Sequence, residues 1–296
     1  MQLKQLKEVK FAHGRYETSF DIDLVSKIRS ELLFNIYYKL FEVVHADTPA
    51  LRAEAHKIRF QVFCIENQGY EDPSAHPDGM EKDSFDHNAE HTLLIYKPTG
   101  KPIGTARIIR HNEKDWRKSF PLQGLCSSHY LHDETYVKNS CEFSRFCISQ
   151  EMRNHIKREI KEISSGILPS NQAHDFKFYE KPLLNVGLAI APMGIIRGAF
   201  ELTMRQGLLN IFGIMEPRHI KRLENIGLLY EQIGPEMEYH GTRVPFICNV
   251  LEIYEHALIN HHDAWSIMSV KGQNHKRALE VYESLSMKAS QLVEQA

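Results

Sequence analysis

A pair of β-rich runs at residues 91–111 constrains the fold of this chain more than any other stretch. In HTLLIYKPTGKPIGTARIIRH the two runs flank a short turn that contains Gly100, a pattern that predicts a β-hairpin. Further short apolar runs follow, CEFSRFCIS at 141–149 and IFGIME at 211–216, and segments of helical length separate them. Strands interleaved with helices in this way predict an α/β or α+β sheet covered by helices.

Helix signals accompany these strands. Thr48 followed by Pro49 is typical of a helix start, and an apolar stripe predicts a helix over residues 49–66. A long apolar helix is expected from Pro192 to Leu209. The remaining expected elements are helices at 20–33, 217–227 and 275–296, and strands at 37–46, 228–234 and 245–254.

The composition restricts the class of protein. Of 296 residues, 42% are hydrophobic and 25% charged, and the formal net charge is -2, which is typical of a soluble globular protein and gives no reason to expect nucleic acid. No apolar run approaches the length of a membrane span, and the N-terminal stretch lacks the apolar core of a secretion signal. Five cysteines without metal-ligand spacing favour a reducing compartment. We therefore expect a cytoplasmic protein without a transmembrane segment.

Charged residues recur on elements that otherwise look buried. Arg59 lies at the edge of the apolar stripe of its helix, Arg107 lies in the middle of a strand, and CEFSRFCIS contains Glu142 and Arg145. A guanidinium group that enters a core needs carboxylates. The segment GMEKDSFDHNAEH offers three of them, Glu81, Asp83 and Asp86. Such a set is either a buried ion-pair network that fixes the fold or the lining of a polar pocket, and the number of its members favours the pocket.

The spacing of Glu142 and Arg145 predicts an irregular strand. Residues three apart point to opposite faces of a regular strand. The two side chains therefore join one network only if an extra residue lies between them, which is a β-bulge. We predict a bulge near Phe143 to Arg145. A bulge frees backbone N–H groups, which are a component of an oxyanion hole in a thioester-binding cleft.

Three blocks of the sequence resemble the autoinducer-synthase-like acyltransferases. They are, in order, LRAEAHKIRFQVFCIENQGYEDPSAHPDGMEKDSFDHNAEHTLLI, GTARIIR and CEFSRFCIS. The resemblance is greatest to the acyltransferase family associated with PEP-CTERM/exosortase systems, and the acyl-homoserine-lactone synthases and N-acyl amino acid synthases are relatives. It covers roughly residues 40–250 and rests on the ordered motifs Arg-x3-Phe, Asp-x2-Asp, G-x-A-R and E-x-S-R.

The resemblance implies a GNAT-like fold of class α+β. This is a three-layer structure in which a mixed, twisted sheet is flanked by helices and splayed between its fourth and fifth strands. CEFSRFCIS would be the fourth strand and NIFGIME the fifth, with the acyl-pantetheine arm between them. The expected organisation is an N-terminal helical extension (1–36), a GNAT-like acyltransferase domain (37–254) and a C-terminal helical extension (255–296).

The resemblance places the charged residues beside the reacting thioester, and we hypothesise roles for single residues, with the alternative that Glu142 only pairs with an arginine. Glu142 would take the proton of an attacking amine, directly or through a water, while Ser144 and a backbone N–H of the bulged strand stabilise the oxyanion. Arg107 and Arg145 would keep Glu142 ionised or bind the carboxylate of the acceptor. The side chains expected to bind substrate are Arg59, Phe63, Asp83, Asp86, Phe143 and Phe146.

The implied reaction is N-acyl transfer from a phosphopantetheine thioester to the amine of an amino acid or a similar small acceptor. A medium or long fatty acyl group would travel on an acyl carrier protein or coenzyme A, and no permanently bound cofactor is expected. The GNAT pyrophosphate loop, Q/R-x-x-G-x-G/A, is not evident after Ile148, which favours the carrier protein. Residues 151–163, EMRNHIKREIKEI, are either a solvated helix face or a dock for that acidic protein.

Several alternatives remain open at this point. Seventeen histidines include His261 and His262 beside Asp263, but no metal-binding motif accompanies them, and no metal site is expected. Three cysteines of the matched blocks are either small buried residues or include an acyl-accepting nucleophile. They are Cys64, Cys141 and Cys147.

Two other functions would use the same fold. A non-catalytic acyl- or lipid-binding protein would keep the charged cluster for structural reasons. A short-chain acetyl-coenzyme A N-acetyltransferase would show a short, blocked pocket in place of a long apolar tunnel, to which the Met and Phe side chains of the helix at 192–209 would otherwise contribute. In the lactone synthases a Trp tends to occupy the position of Tyr70, so the acceptor is left undefined.

Overall fold

The computed structural model describes residues 24–164 and 180–294 of the chain. The strands within these residues are Phe41–His45 (β1), Ala89–Tyr96 (β2), Lys101–Ile109 (β3), Ser140–Ile148 (β4), Asn210–Met215 (β5), Glu231–Gln232 (β6), Met237–Glu238 (β7) and Thr242–Asn249 (β8). The helices are Leu24–Leu40 (α1), Pro49–Phe60 (α2), Glu134–Lys138 (α3), Gln150–Ser164 (α4), Glu180–Ile190 (α5), Pro192–Arg205 (α6), Pro217–Glu224 (α7), Val250–Asn260 (α8), His262–Met268 (α9) and Gln273–Glu294 (α10). The strands form a mixed sheet in the order β1-β2-β3-β4-β5-β8-β6, and β7 pairs with β8.

Local signals explain the first half of the sheet. β2 and β3 pair antiparallel as the predicted hairpin, and Gly100 in its turn has a φ of 66°, in the left-handed region that glycine adopts without strain. The Thr48 side chain accepts the N–H of Leu51 and caps α2, with Pro49 in the first turn. The predicted helix over residues 49–66 is confirmed, although its last six residues form a π-helical turn.

Helices cover both faces of this sheet. Neighbouring residues of β2 show the alternation: Leu93 packs with Phe63 on the face covered by α2, and Leu94 packs with Ile195 on the face covered by α6. We call these the α2 face and the α6 face. α1 and the helices α8 to α10 join the layer on the α6 face. The predicted α+β, three-layer class is confirmed.

The sheet splits between β4 and β5. These two strands are parallel and are paired only from Ser140 with Asn210 to Phe143 with Gly213. Beyond that point the two strands separate: β4 continues to pair only with β3, and β5 only with β8. The predicted splay between the fourth and fifth strands is confirmed.

The predicted β-bulge lies on β4. Arg107 pairs with Ser144 and Thr105 pairs with Cys147, so that three steps on β4 face two steps on β3. Arg145, inside this interval, has a φ of 52°, a left-handed conformation that is rare for a residue with a side chain. As a result the side chain of Arg145 contacts Asp83, as does that of Arg107, and it therefore lies on the α2 face.

Four expected elements need correction. The strand predicted at 37–46 is limited to β1, because α1 continues to Leu40 and buries Tyr37 and Leu40 against the α6 layer. The strand predicted at 245–254 ends at Asn249, whose side chain accepts two backbone N–H groups and caps α8. Only two residues of the run at 228–234 form a strand. The helix from Pro192 ends at Arg205, four residues earlier than predicted.

Some of the predicted elements include residues that lie outside the described ranges. Residues 20–23 of the helix predicted at 20–33 lie outside them, as do residues 165–179.

One apolar stretch, Leu184–Arg205, is long and apolar enough to cross a membrane by length and composition, but 72% of its most apolar window is buried inside the protein. This burial is what a core helix of a folded domain shows.

Candidate active site

Arg59 anchors a buried charged cluster on the α2 face. Its side chain has no exposed surface. The guanidinium donates from Nε to Glu81 at 2.5 Å and from both terminal nitrogens to the two oxygens of Asp86, at 2.6 and 3.0 Å. Such a paired arrangement uses the planar fork of arginine fully.

Two further arginines extend the cluster. Arg107 donates to Asp83 at 2.6 Å and, through Nε, to the Ser144 hydroxyl at 3.0 Å. Arg145 donates to Glu81 at 2.9 Å and to Glu71 at 3.1 Å. Three arginines therefore face four carboxylates, drawn from α2, β3, β4 and the segment between α2 and β2. The cluster carries a formal charge of -1, because every guanidinium group has a carboxylate partner and one carboxylate is in excess.

The arginines keep these acids ionised. Burial disfavours the charge on Glu81, but the hydrogen bonds and charges of Arg59 and Arg145 outweigh it and lower the pKa of Glu81 to about 2. Burial is likewise overcome at Asp86, where His56, Arg59 and Arg107 hold the pKa well below its usual range. Glu81 and Asp86 are therefore ionised at neutral pH.

Glu142 behaves differently. It is 1% exposed, and its Oε2 accepts the N–H of Leu122 at 3.0 Å. Burial raises the pKa of Glu142 to about 7, and the Leu122 N–H and the charges of Arg107 and Arg145 offset this only in part. The hydrogen bonds of the two arginines go to other carboxylates and to Ser144. Glu142 thus shares the face of the cluster, but it lies behind the cleft described next, which it does not line.

A cleft of about 820 Å³ occupies the split between β4 and β5. Residues from the bulged part of β4 line it, including Phe143, Ser144, Arg145 and Phe146. Because the split passes through the sheet, the cleft opens to both faces. Of the side chains predicted to bind substrate, Phe63 and the two phenylalanines of β4 line the cleft, whereas Arg59, Asp83 and Asp86 lie behind it in the charged cluster.

On the α2 face the cleft is polar. The ring of Tyr70 stacks on His240 from the β7–β8 hairpin, with centroids 4.3 Å apart, and Phe63 lies 5.0 Å from its other side. Arg243 lines the same part of the cleft. Its Nη2 donates to the backbone carbonyl of His240 at 2.6 Å, while the nearest carboxylate, that of Glu216, is 3.5 Å away.

The half of the cleft on the α6 face combines apolar side chains with basic ones, the basic ones being Arg153 of α4 and Arg218, His219 and Arg222 of α7. Met193 of α6, Met215 at the end of β5, and Leu223 and Ile226 at α7 line it. A second, smaller apolar cavity of about 20 Å³ lies deeper. It shares Phe143, Met215 and Leu223 with the cleft, so these three side chains form the partition between the two spaces.

One group of potential metal ligands occurs near the cluster among the described residues. His56, Asp86 and His91 bring three ligand atoms within 4.8 Å of one another. Asp86 Oδ1 already lies 2.6 Å from Arg59 and 3.2 Å from Arg107. Burial, followed by the charge of Arg59, lowers the pKa of His91 to about 3. Asp86 therefore serves as counter-ion to two guanidinium groups, whose charges oppose a divalent cation at this point.

The histidines near the C-terminal helices have structural partners. Ser30 of α1 donates to Asp263 at 2.5 Å, and Nδ1 of His262 lies 2.9 Å from the same hydroxyl. Arg29 pairs with Asp263 at 2.6 Å. The backbone N–H of His261 closes the end of α8. These contacts hold α1 against α9, and they occupy the side chains of His262 and Asp263.

The cysteines are poorly suited to act as nucleophiles. All five are free and buried. Burial raises the pKa of Cys64 to about 11 and those of Cys141 and Cys147 to about 12. Since the thiolate is the reactive form, transfer through a cysteine is disfavoured even though Cys147 lines the cleft.

Four residues of the site were not among the predicted site residues. Glu71 completes the acid set, and Glu216, His240 and Arg243 line the cleft. Arg243 had the same signal as Arg107, a charged residue in the alternating pattern of a strand, where Val244 and Phe246 face the α6 layer. His240 and Glu71 lie in polar loop sequence, which carries no comparable signal.

Comparisons with known proteins found one matching family model and several similar solved structures. Residues 58–159 match the family model described as an acetyltransferase (GNAT) domain. Similar solved structures include TofI in a ternary complex with an inhibitor and MTA, which is 19% identical with a TM-score of 0.47, covering 71% of this chain and 91% of that chain. The acyl-homoserine-lactone synthase LasI is 15% identical with a TM-score of 0.47, covering 75% and 94%. FeeM, an N-acyl amino acid synthase from uncultured soil microbes, is 14% identical with a TM-score of 0.45, covering 75% and 97%.

No curated protein matches the sequence. The matched family and the split mixed sheet nevertheless define the class: residues 58–159 match a GNAT acetyltransferase domain, and the protein is an acyltransferase. The matched segment contains the last three residues of α2, the charged cluster, the β2–β3 hairpin and β4, so it includes the bulged wall of the cleft but not β5 or the β7–β8 hairpin.

Proposed function

We propose that the protein is an N-acyltransferase that moves a medium or long fatty acyl group from an acyl carrier protein to the amine of an amino acid or a similar small acceptor. The observation that carries this proposal is the cleft through the split sheet, which has apolar side chains such as Met193, Met215 and Leu223 on the α6 face and the Tyr70, His240 and Arg243 side chains on the α2 face. An apolar acyl chain and a charged acceptor can therefore reach the bulged strand from opposite sides.

A second apolar cavity beyond the cleft supports a donor larger than acetyl. The whole cleft measures about 820 Å³ and must hold the pantetheine arm and the acceptor as well as the acyl group. Phe143, Met215 and Leu223 divide it from the further apolar cavity of about 20 Å³. A methionine can change its rotamer at low cost. Movement of Met215 would lengthen the apolar space, which favours a fatty acyl chain over the short-chain alternative.

The β-bulge on β4 supports stabilisation of the oxyanion that forms in acyl transfer. Neither Arg145 nor Phe146 has a partner in the register with β3, and we assign the backbone N–H groups of this interval to the oxyanion hole. Ser144, whose hydroxyl accepts a hydrogen bond from Arg107, lies beside them. The ammonium group of the acceptor first loses one proton to become the nucleophile. Its nitrogen then attacks the thioester carbon, the C–S bond breaks, and the leaving sulfur takes the second proton of the nitrogen to become the free thiol.

The proton of the attacking amine needs an acceptor. We assign this role to Glu142, working through a water because its carboxyl does not line the cleft. A carboxyl group whose pKa is about 7 gains and loses a proton readily at neutral pH. Arg107 and Arg145 then act as positioning residues for the bulged strand and its acids.

The charges of the polar half support an acceptor with both an amine and a carboxylate. Glu71 and Asp83 lie behind the cleft lining but are about a quarter exposed, 26% and 27%, at the edge of a cluster with an excess negative charge. Arg243, across the cleft, has no carboxylate closer than 3.5 Å. An amino acid would place its ammonium group toward the acids and its carboxylate toward Arg243.

The finer assignments rest on sequence features. Exposed basic residues on α4, among them Lys157 and Arg158, support docking of an acidic carrier protein. The ordered motifs support membership in the PEP-CTERM/exosortase-associated group, and five unpaired cysteines support a reducing, cytoplasmic location.

The proposal is tested by thiol release. Purified protein is mixed with medium- and long-chain acyl carrier proteins or acyl-coenzyme A and a pool of amino acids, and products are identified by mass. An N-acyl amino acid together with free thiol establishes the reaction. Tight binding of the acylated donor without thiol release would favour the acyl-binding alternative, and turnover of acetyl-coenzyme A alone would favour the short-chain enzyme.

A further inference from the structure

The first turn of α4 lies at the rim of the cleft. α4 begins at Gln150, two residues after β4 ends at Ile148, and both Ile148 and Arg153 line the cleft. A helix N-terminus presents unpaired N–H groups and a partial positive charge, which together bind phosphate groups well. A phosphorylated donor that extends out of the cleft on this side would meet such a site first.

Glu66 already occupies this position. Its carboxylate accepts the N–H of Gln150 at 2.8 Å, the N–H of Glu151 at 3.1 Å and the hydroxyl of Ser149 at 2.7 Å. Glu66 is the last residue of the π-helical turn that follows α2. Its carboxylate therefore reaches the α4 N-terminus from the wall of the cleft that this turn forms. Three donors that would bind an oxyanion are thus satisfied by the protein itself.

The geometry points to Glu66 as a residue that determines the class of donor. We infer that its carboxylate excludes the diphosphate of coenzyme A from the α4 N-terminus, so that the donor is recognised by its pantetheine arm and by the carrier protein that presents it. This inference rests on the proposed acyl transfer from a phosphopantetheine thioester. It also gives a structural reason for the missing glycine-rich pyrophosphate loop after Ile148.

Two physical effects act together. A diphosphate that displaces Glu66 must replace three hydrogen bonds that are already made, which removes most of the gain from forming its own. A diphosphate that binds beside Glu66 meets a like charge next to the helix N-terminus. Pantetheine itself carries no phosphate, and its binding does not depend on this position.

The test compares Glu66→Ala and Glu66→Gln with Glu151→Gln. Glu151 lies in the same turn of α4 and its side chain accepts from Gln61, so its replacement removes an equal charge while leaving the three donors capped. Binding of coenzyme A and of pantetheine is measured by titration calorimetry, which requires no acceptor. We expect Glu66→Ala to bind coenzyme A about tenfold more tightly than the wild-type protein, with Glu66→Gln between them and pantetheine affinity unchanged.

Two results would overturn the inference. One is a wild-type protein that binds coenzyme A much more tightly than pantetheine. The other is a gain for coenzyme A in the Glu66 variants no larger than that of Glu151→Gln. Thermal melts confirm that the variants are folded, and Glu66→Gln keeps one carbonyl oxygen to cap α4 if Glu66→Ala does not fold. Absence of acyl transfer by the wild-type protein would refute the proposed function and leave these binding comparisons readable.

Discussion

Replacing Glu142 by glutamine should make the protein more stable at neutral pH, and increasingly so as the pH rises. Glu142 is buried with a pKa of about 7, against 4.5 for a free glutamate side chain. Between these two values the folded protein holds a proton that the unfolded chain releases. Folding is therefore opposed by rising pH, because the unfolded state gains stability on losing the proton and the folded state does not.

The size of the effect follows from the difference between the two pKa values. The interval from 4.5 to about 7 spans roughly 2.5 pH units, and each unit corresponds to about 1.4 kcal/mol. The wild-type protein should lose about 3 kcal/mol of unfolding free energy at this site between pH 4.5 and pH 7. Glutamine does not titrate, and its amide oxygen can accept the N–H of Leu122 as the carboxylate does.

The measurement is urea-induced unfolding of both proteins at several pH values from 4.5 to 7.5. At each pH, the unfolding free energy of the wild-type protein is subtracted from that of the variant. The contribution of every other group that titrates alike in the two proteins then cancels. Altered packing of the amide shifts this difference by a constant, so its slope with pH is the diagnostic quantity. Glu236→Gln, which removes an exposed carboxylate, serves as the matched control, against which the slope of Glu142→Gln is compared.

Parallel curves for Glu142→Gln and wild type would refute this reasoning. They would mean that Glu142 keeps its charge in the folded protein, as it would if Arg107 and Arg145 outweighed the burial. Catalysis is a separate readout of the same variant. A folded Glu142→Gln protein without transfer activity supports the assignment as base, and full activity would remove Glu142 from the mechanism.

Three further predictions concern other parts of the molecule. Arg59→Ala should lower the unfolding free energy by about 3 to 5 kcal/mol, since it leaves buried carboxylates unpaired; a loss below 1 kcal/mol in urea unfolding would contradict the buried cluster. Reversing Lys157 and Arg158 to Glu should raise the KM for acyl carrier protein but not that for acyl-pantetheine, and equal changes in both would argue against docking on α4. Leu223→Trp should shift the preferred donor to shorter chains in a competition among acyl lengths, and an unchanged profile would place the acyl chain elsewhere.

Much of the fold could be predicted because its signals are local. The hairpin is set by its turn, α2 by the Thr48 cap, and the bulge by the conflict between the spacing of Glu142 and Arg145 and the pattern of a regular strand. That last prediction was specific because buried charges must find partners, which restricts geometry more than apolar residues do.

The remaining features depend on contacts between distant segments. Tyr37 and its aromatic neighbours favour a strand by composition, but packing of α1 on the α6 layer overrides that preference. The site residues His240 and Arg243 meet Tyr70 only because the β7–β8 hairpin folds across the cleft. Nothing in the local sequence of a polar hairpin indicates which loop, some 170 positions away, will lie against it.

The stacking of Tyr70 on His240 connects the two walls of the cleft, so the cleft is enclosed at this point and not open along its whole length. β4 and β5 close it at the base, where Phe143 pairs with Gly213, and the two aromatic rings join its walls at the rim. Under the proposed function, a donor tethered to a carrier protein would thread its acyl end first or enter when the rings part. A ring contact worth about 1 kcal/mol is broken in roughly one molecule in six at any moment, so side entry would be frequent enough not to limit turnover.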